Sequence, residues 1–170
     1  MKTYRSAREL LSQVEQILAA NQPCFHHSPL DDVIDGLCQG RHYSWVGLYL
    51  AVGEKDQHLL SASGESGLTT VTQPETRSKI LVSLKLASRE LGVLAVESDR
   101  ETALSPEERV FLEKVAALLA RFLAGPGQYL VRKAREKAAT TGAVPARGPQ
   151  SVSQLSSSPS RTASAAVGEK

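Results

Sequence analysis

The chain has 170 residues, a formal net charge of +2 and 41% apolar residues, enough for one domain with its own core. Its two cysteines exclude a disulfide framework. No apolar run approaches the ~20 residues of a membrane-spanning helix, and no signal peptide is apparent. We therefore expect a cytoplasmic protein without a membrane span.

Charge is unevenly distributed along the chain. Residues 1–125 carry three more acidic than basic side chains, whereas residues 126–170 carry five more basic than acidic ones. A mildly acidic domain does not favour specific nucleic-acid binding, because nucleic-acid binders concentrate basic residues on the folded surface. The basic cluster at 132–137 could contact phosphates or anionic lipid, but a solvated tail also explains it.

Two helices are predicted at the start of the chain. The first covers residues 4–20, where apolar residues form a stripe with helical spacing: Leu10, Leu11, Val14, Ile17 and Leu18. The second begins at Ser28, which can cap it, with Pro29 at its first position and Asp31 able to bond back to the cap amide. This helix ends near Gly40 and is expected to bury Leu30, Val33, Ile34 and Leu37.

Alternating patterns predict the strands. The segment 43–50 carries apolar or aromatic side chains on both faces, which is typical of a central strand. A turn at 53–56 leads into a return strand at 58–63, and a short strand is predicted at 69–72. Segments 79–86 and 90–96 then form a hairpin around Ser88-Arg89. We expect one face of its first strand to hold Ile80, Val82, Leu84 and Leu86.

A last helix begins at Ser105-Pro106-Glu107-Glu108, which repeats the capping pattern, and ends at Gly125. Its expected buried stripe is Val110, Phe111, Val115, Leu118, Leu119 and Phe122. These elements predict an α+β fold, an antiparallel sheet of four to six strands with N- and C-terminal helices packed on one face. We place this domain at 4–124, a short helix or linker at 125–138, and a disordered Ser/Ala/Pro-rich basic tail at 139–170.

Three segments resemble a GAF domain, a small-molecule sensor fold of the profilin/PAS-like type. They are the strand YSWVGLYL, the hairpin SKILVSLKLASRELGVLAVES and the helix LSPEERVFLEKVAALLA. Within that family the strand and hairpin are most similar to the free methionine-(R)-sulfoxide reductases, which reduce the free amino-acid sulfoxide with cysteine chemistry. The resemblance implies a ligand pocket, a role in signal transduction, and a homodimer formed by the terminal helices, to which Leu119 and Leu123 could contribute.

Residues typical of those reductases are replaced in this chain. Lys79 stands where they have a glutamate after the hairpin's opening serine, and Ala95 and Glu97 stand where they have two aspartates. Residues 64–78, where their reactive cysteines lie, contain no cysteine. We therefore predict a stand-alone, non-catalytic sensor or regulatory module that binds a small molecule or another protein and needs no cofactor.

Six residues are candidates for ligand binding: Trp45, Tyr49, Lys79, Leu81, Ser83 and Glu97. The rings of Trp45 and Tyr49 could stack a planar ligand or pack as ordinary core. Lys79 and Glu97 could hold the polar ends of an amino-acid-like ligand or form an exposed cross-strand ion pair.

The two cysteines have different settings. Cys38 lies in the last turn of the second helix, where the helix dipole disfavours a thiolate, so we expect a buried apolar group. Cys24 lies beside His26 and His27 and supports the alternative function, a diverged reductase-like enzyme that uses Cys24. These three residues have no further partners for a structural zinc site, so no metal is predicted.

Overall fold

The computed structural model describes residues 4–22, 27–41, 43–52, 56–64, 78–100 and 104–141. In chain order the elements are α1 (Ala7–Ala20), α2 (Pro29–Gly40), β1 (Trp45–Ala51), β2 (Gln57–Gly64), β3 (Ser78–Leu86), β4 (Arg89–Ser98), α3 (Pro106–Ala124) and α4 (Gln128–Thr141). The strand predicted at 69–72 lies outside the described residues. Within the described part of the chain, no helix is both long and apolar enough to span a bilayer.

The first two helices begin with reciprocal caps. In α1 the hydroxyl of Ser6 accepts from the Glu9 amide while the Glu9 carboxylate accepts from the Ser6 amide. In α2 the Ser28 amide donates to Asp31 Oδ2 at 2.7 Å, which confirms the predicted start. Helix α1 ends at Asn21, whose left-handed φ of 40° stops the helix before the proline.

The sheet is antiparallel with strand order β2-β1-β4-β3, so β1 is central as predicted. Its helix-facing side includes a set of apolar residues that are at most 8% exposed: Val46, Leu48, Leu50, Ile80, Val82, Leu84, Leu94 and Val96. Helix α2 packs on β1 and β2, while α3 packs mainly on β3. The predicted α+β class, with helices on one face, is confirmed, and α1 packs on α2 and α3 as an outer layer.

Helix α4 follows α3 after a short turn and packs against it. Val131 and Ala134 are buried, and the Tyr129 hydroxyl donates to Asn21 Oδ1 at 3.1 Å, which joins α4 to the end of α1. The helix reaches Thr141, past the predicted limit at 138. The basic cluster at 132–137 therefore lies on a packed helix and not in a solvated tail.

The buried stripe of α3 differs from the predicted one. Val110 is 52% exposed, whereas Leu112 is fully buried. The stripe begins at Glu108 and continues at intervals of three and four residues. Leu119 and Leu123 are 0% and 2% exposed inside their own chain, so the prediction that they extend to a partner is wrong.

The β3–β4 hairpin turns one residue earlier than predicted. Leu86 pairs with Arg89, which leaves Ala87-Ser88 as the turn and gives Ala87 a positive φ of 53°. The register also shifts between Leu84 and Lys85. The extra residue is Leu91 on β4, so β3 keeps its alternation. Leu86 is 41% exposed because it lies at the end of β3, beside the turn, and it does not extend the buried row of that strand.

A buried charged cluster joins α3 to the segment after α2. The Arg41 guanidinium donates from Nε to Glu108 Oε1 at 2.8 Å, and its Nη2 donates to Glu108 Oε2. The Tyr43 hydroxyl donates to the same carboxylate. The Ser105 hydroxyl accepts from the Glu108 amide, so Glu108 takes part in the predicted cap through its backbone while its side chain points into the core.

Candidate ligand-binding face

All six predicted ligand-binding residues lie on the sheet surface turned away from α2 and α3, here called the outer face. It consists of three cross-strand rows. The first row is Lys79, Glu97, Trp45 and Gly64; the second is Leu81, Ala95, Gly47 and Ala62; the third is Ser83, Val93, Tyr49 and Leu59. The face follows from strand alternation, because residues directly opposite one another in an antiparallel sheet project to the same side.

Two aromatic rings flank a glycine on this face. The centroids of Trp45 and Tyr49 are 6.3 Å apart with the ring planes inclined by 50°. A Cβ on Gly47 would lie 2.1 Å from Cη2 of Trp45, so the indole lies directly over the glycine backbone. Both aromatic side chains are half-buried, which leaves part of each ring accessible.

An ion pair closes one end of the outer face. Lys79 lies opposite Glu97, and Lys79 Nζ is 2.8 Å from Glu97 Oε1. An exposed cross-strand ion pair was one of the two alternatives predicted for these residues. The pair is present, but only Lys79 is well exposed: its side chain is 47% accessible, whereas that of Glu97 is 12% accessible. A carboxylate this buried needs a cationic partner, because losing its hydration without one is unfavourable. A ligand cation that displaced the Lys79 ammonium could serve as the partner of the Glu97 carboxylate in its place.

The rest of the face is largely apolar, and its accessible apolar side chains lie at the sheet edges. Leu81 in the second row is 55% exposed and Leu59 in the third row is 45% exposed. Ser83 is exposed as well and adds one hydroxyl. Leu81 and Leu59 lie on opposite edges of the sheet, with the Trp45 and Tyr49 rings on β1, a strand between them.

The cysteines lie elsewhere. Cys24 and His26 are outside the described residues. Cys38 is 3% exposed, and its Sγ is 3.8 Å from the Tyr43 carbonyl oxygen, so it lies in the core between α2 and the sheet. This thiol is on the opposite side of the sheet from the outer face. Among the residues described, no three or more His, Cys, Asp or Glu side chains are grouped as metal ligands.

A polar cluster at the start of α2 was only partly found from the sequence. Ser61 Oγ on β2 donates to Asp31 Oδ1 at 2.6 Å, and His27 Nε2 lies 2.6 Å from Asp32 Oδ1. Burial raises the pKa of Asp31, but hydrogen bonds from Ser61 and Ser28 outweigh this effect and leave the pKa below its ordinary value. The hydrogen bond to Asp32 raises the pKa of His27. Asp31 therefore both caps α2 and ties it to β2.

The small residues of the second row were also missed. Gly47, Ala62 and Ala95 lie side by side at the centre of the outer face. Their small side chains make the middle of the sheet shallow and leave room for the Trp45 ring. The signal available in the sequence was a glycine in the middle of a bulky central strand, which often marks a close approach to the backbone.

Comparison with solved structures identifies the architecture. The free methionine-R-sulfoxide reductase of Neisseria meningitidis, solved with its substrate, is similar with a TM-score of 0.58 and 19% identity over 81% of this chain and 99% of that one. The GAF domain of an Acinetobacter phosphoenolpyruvate-protein phosphotransferase is similar with a TM-score of 0.58 and 14% identity over 75% and 98%. The chain has the fold of a GAF domain.

A GAF domain from a sensor kinase is similar to this chain as well. The GAF domain of a putative sensor histidine kinase from Pseudomonas syringae pv. tomato has a TM-score of 0.56 and 19% identity over 75% of this chain and 91% of that one. No protein-family model and no curated protein matches the sequence. The GAF-type fold is thus shared with both sensor domains and reductases.

Proposed function

We propose that this GAF-type domain is a non-catalytic regulatory module that binds a small amino-acid-type ligand on its outer face. The observation that carries the proposal is the Lys79–Glu97 pair beside Trp45. A free amino acid bears one ammonium and one carboxylate close together, so two opposite charges 2.8 Å apart match its charge pattern. Its side chain would then rest on Trp45 and Leu81.

The fold neighbours support this ligand class. Reductase structures from Staphylococcus aureus and Neisseria meningitidis were both solved with their substrate, and these enzymes act on free methionine-R-sulfoxide, an amino-acid derivative. Sensor domains with the same fold support a regulatory role. The replacement of reductase positions by Lys79, Ala95 and Glu97, and the burial of Cys38, support a function without catalysis.

Isothermal titration calorimetry tests the proposal with L-methionine and L-methionine sulfoxide as probes. Saturable binding of either probe, weakened roughly tenfold or more in Glu97→Gln, is the expected result. Lys85→Gln removes one charge from β3, at the opposite end of that strand from Lys79, and should leave the affinity within about twofold. N-acetyl-L-methionine, which lacks the ammonium, should bind much more weakly. Equal binding of the acetylated probe would contradict the proposal.

A second candidate function is a reductase-like enzyme that uses Cys24. Several reductases among the fold neighbours favour it. The assay is formation of methionine from L-methionine-(R)-sulfoxide with dithiothreitol as reductant, for the wild type and for Cys24→Ala. Turnover that disappears in Cys24→Ala would establish this second function, and turnover that survives the substitution would exclude Cys24. Binding without turnover is what the non-catalytic proposal expects.

We also propose that the terminal helices form a homodimer, using residues other than Leu119 and Leu123. Tyr4 and Val110 are 58% and 52% exposed, and Leu118 is half-buried on α3. Native mass spectrometry should show twice the chain mass for the wild type and a single chain mass for Val110→Asp. A monomeric wild type at micromolar concentration would contradict this part of the proposal.

A further inference from the structure

A cavity of about 190 Å³ lies at the hairpin end of the sheet, bordered by the β3–β4 turn, the end of α3 and one side of α4. Its apolar lining includes Leu50, Leu91, Leu123 and Val131. Arg89, Arg132 and Arg135 also line it, together with Glu90. We call it the arginine cavity. It shares none of the residues of the outer face.

The three arginines come from two elements that are far apart in the sequence. Arg89 opens β4 directly after the tight turn, whereas Arg132 and Arg135 are three residues apart on α4. The burial of Val131 and Ala134 fixes α4 so that both of its arginines border the cavity that Arg89 also lines. The convergence therefore depends on tertiary packing and is not a consequence of a local basic run.

Positive charge dominates this lining. Within the described part of the chain, no hydrogen bond or ion pair engages the side chains of Arg89, Arg132 or Arg135, and all three are exposed. Like charges three residues apart destabilise a helix, and a third guanidinium nearby adds to the repulsion. Glu90 is the one carboxylate that borders the cavity, so its lining side chains carry a net charge of +2.

We propose that the arginine cavity binds a small organic dianion, specifically a phosphomonoester. A phosphate monoester carries close to two negative charges at neutral pH, which balances the lining. Planar guanidinium groups donate two parallel hydrogen bonds to phosphate oxygens, and several arginines can share one phosphate. The leucine and valine side chains of the lining suit a short apolar group attached to the phosphate. The concave shape favours a small molecule over an anionic membrane surface.

Phenyl phosphate is the probe, titrated into the full-length protein by isothermal titration calorimetry in a phosphate-free buffer of low ionic strength. Saturable one-to-one binding is expected for the wild type. The double variant Arg132→Gln/Arg135→Gln should bind at least roughly tenfold more weakly, and Arg89→Gln should also weaken binding. The matched control is Lys133→Gln, which removes one charge from the same helix at a position that does not line the cavity. Its affinity should stay within about twofold of the wild type.

Four outcomes would overturn the proposal. They are absence of saturable binding up to about 10 mM, an equal loss of binding in Lys133→Gln, a loss of phenyl phosphate binding in Lys79→Gln, and binding only to phosphatidylserine vesicles. The third outcome would assign the anion to the outer face, and the fourth would assign the arginines to a membrane surface. The thermal midpoint of each variant shows whether it is folded. Because all three arginines are exposed, we expect these midpoints to stay close to that of the wild type.

Discussion

Glu108 accepts two hydrogen bonds from the guanidinium of Arg41, a residue 67 positions away in the sequence. The two side chains are only 9% and 8% exposed. Cζ of Arg41 lies 4.6 Å from the ring centroid of Tyr4 and 5.2 Å from that of Phe111, so the guanidinium contacts two aromatic rings. This contact joins the end of α2, the start of α3 and the N-terminal segment.

Glu108→Gln is therefore expected to destabilise the domain by about 3–5 kcal/mol, because it leaves the Arg41 charge buried without its counter-charge. Urea denaturation followed by circular dichroism measures the change. Glu107→Gln is the matched control, since Glu107 is exposed on the same helical turn, and its effect should be much smaller. Equal effects of the two substitutions would show that the Arg41 pair does not hold the domain together.

Gly47→Ala tests the position of the Trp45 indole. The added methyl group would lie 2.1 Å from Cη2, so the ring must move away from the sheet. We expect a red shift of the emission of Trp45, the only tryptophan, and a loss of about 1–3 kcal/mol in stability from overpacking. In Gly36→Ala the new Cβ meets only Gln13, at 3.7 Å, so emission should stay unchanged. That control should gain about 0.5–1 kcal/mol in helix stability.

His27 predicts a dependence of stability on pH. Its pKa is raised in the folded state by the hydrogen bond to Asp32, so its contribution is complete below its unfolded pKa and is lost as pH rises through the folded value. The pKa of Asp31 is lowered, so its contribution is present above its unfolded pKa and is lost as pH falls through the folded value. The cluster is most stabilising between these limits.

The measurement is the free energy of unfolding of the wild type and of His27→Gln at several pH values. The difference between them should be larger at about pH 5.5 than at about pH 9. Adding Asp32→Asn should weaken this pH dependence, because the hydrogen bond to that carboxylate is the largest cause of the raised pKa of His27. A difference that grows with increasing pH would have the wrong sign and would contradict the assignment.

Ala87→Gly should stabilise the β3–β4 hairpin. Ala87 has a φ of 53°, and the left-handed region is unfavourable for a residue with a Cβ by about 1–2 kcal/mol, part of which the greater flexibility of unfolded glycine offsets. The expected gain is up to about 1 kcal/mol in urea denaturation. Ser88→Gly, at the neighbouring position without a positive φ, should destabilise. Destabilisation by both glycines would contradict the left-handed conformation of Ala87.

Much of the fold was predictable because its determinants are local. The cap formed by Ser28 and Asp31 involves residues three apart, and alternation along β1 and β3 assigned most of their faces correctly. The same alternation placed the six candidate residues on one side of the sheet. A pattern confined to a few neighbouring residues can be interpreted without knowing the tertiary structure.

The features that the sequence did not predict depend on distant partners or on irregular pairing. Glu108 is part of a capping pattern, but its side chain is buried because it binds Arg41, which is 67 residues away in the sequence. Leu86 continues the alternation of β3 but is exposed, because it lies beside a turn whose position the periodicity does not give. The basic residues 132–137 lie on a packed helix because Val131 and Ala134 of that helix are buried against the rest of the domain.

The most direct test of the proposed function is the emission of Trp45 during titration with L-methionine-(R)-sulfoxide. Because this is the only tryptophan and it adjoins Glu97 in the first row, a bound ligand should change its emission. We predict a saturable change that is lost in Glu97→Gln and retained in Lys85→Gln. No change up to about 10 mM, or an identical change in Glu97→Gln, would contradict ligand binding on the outer face.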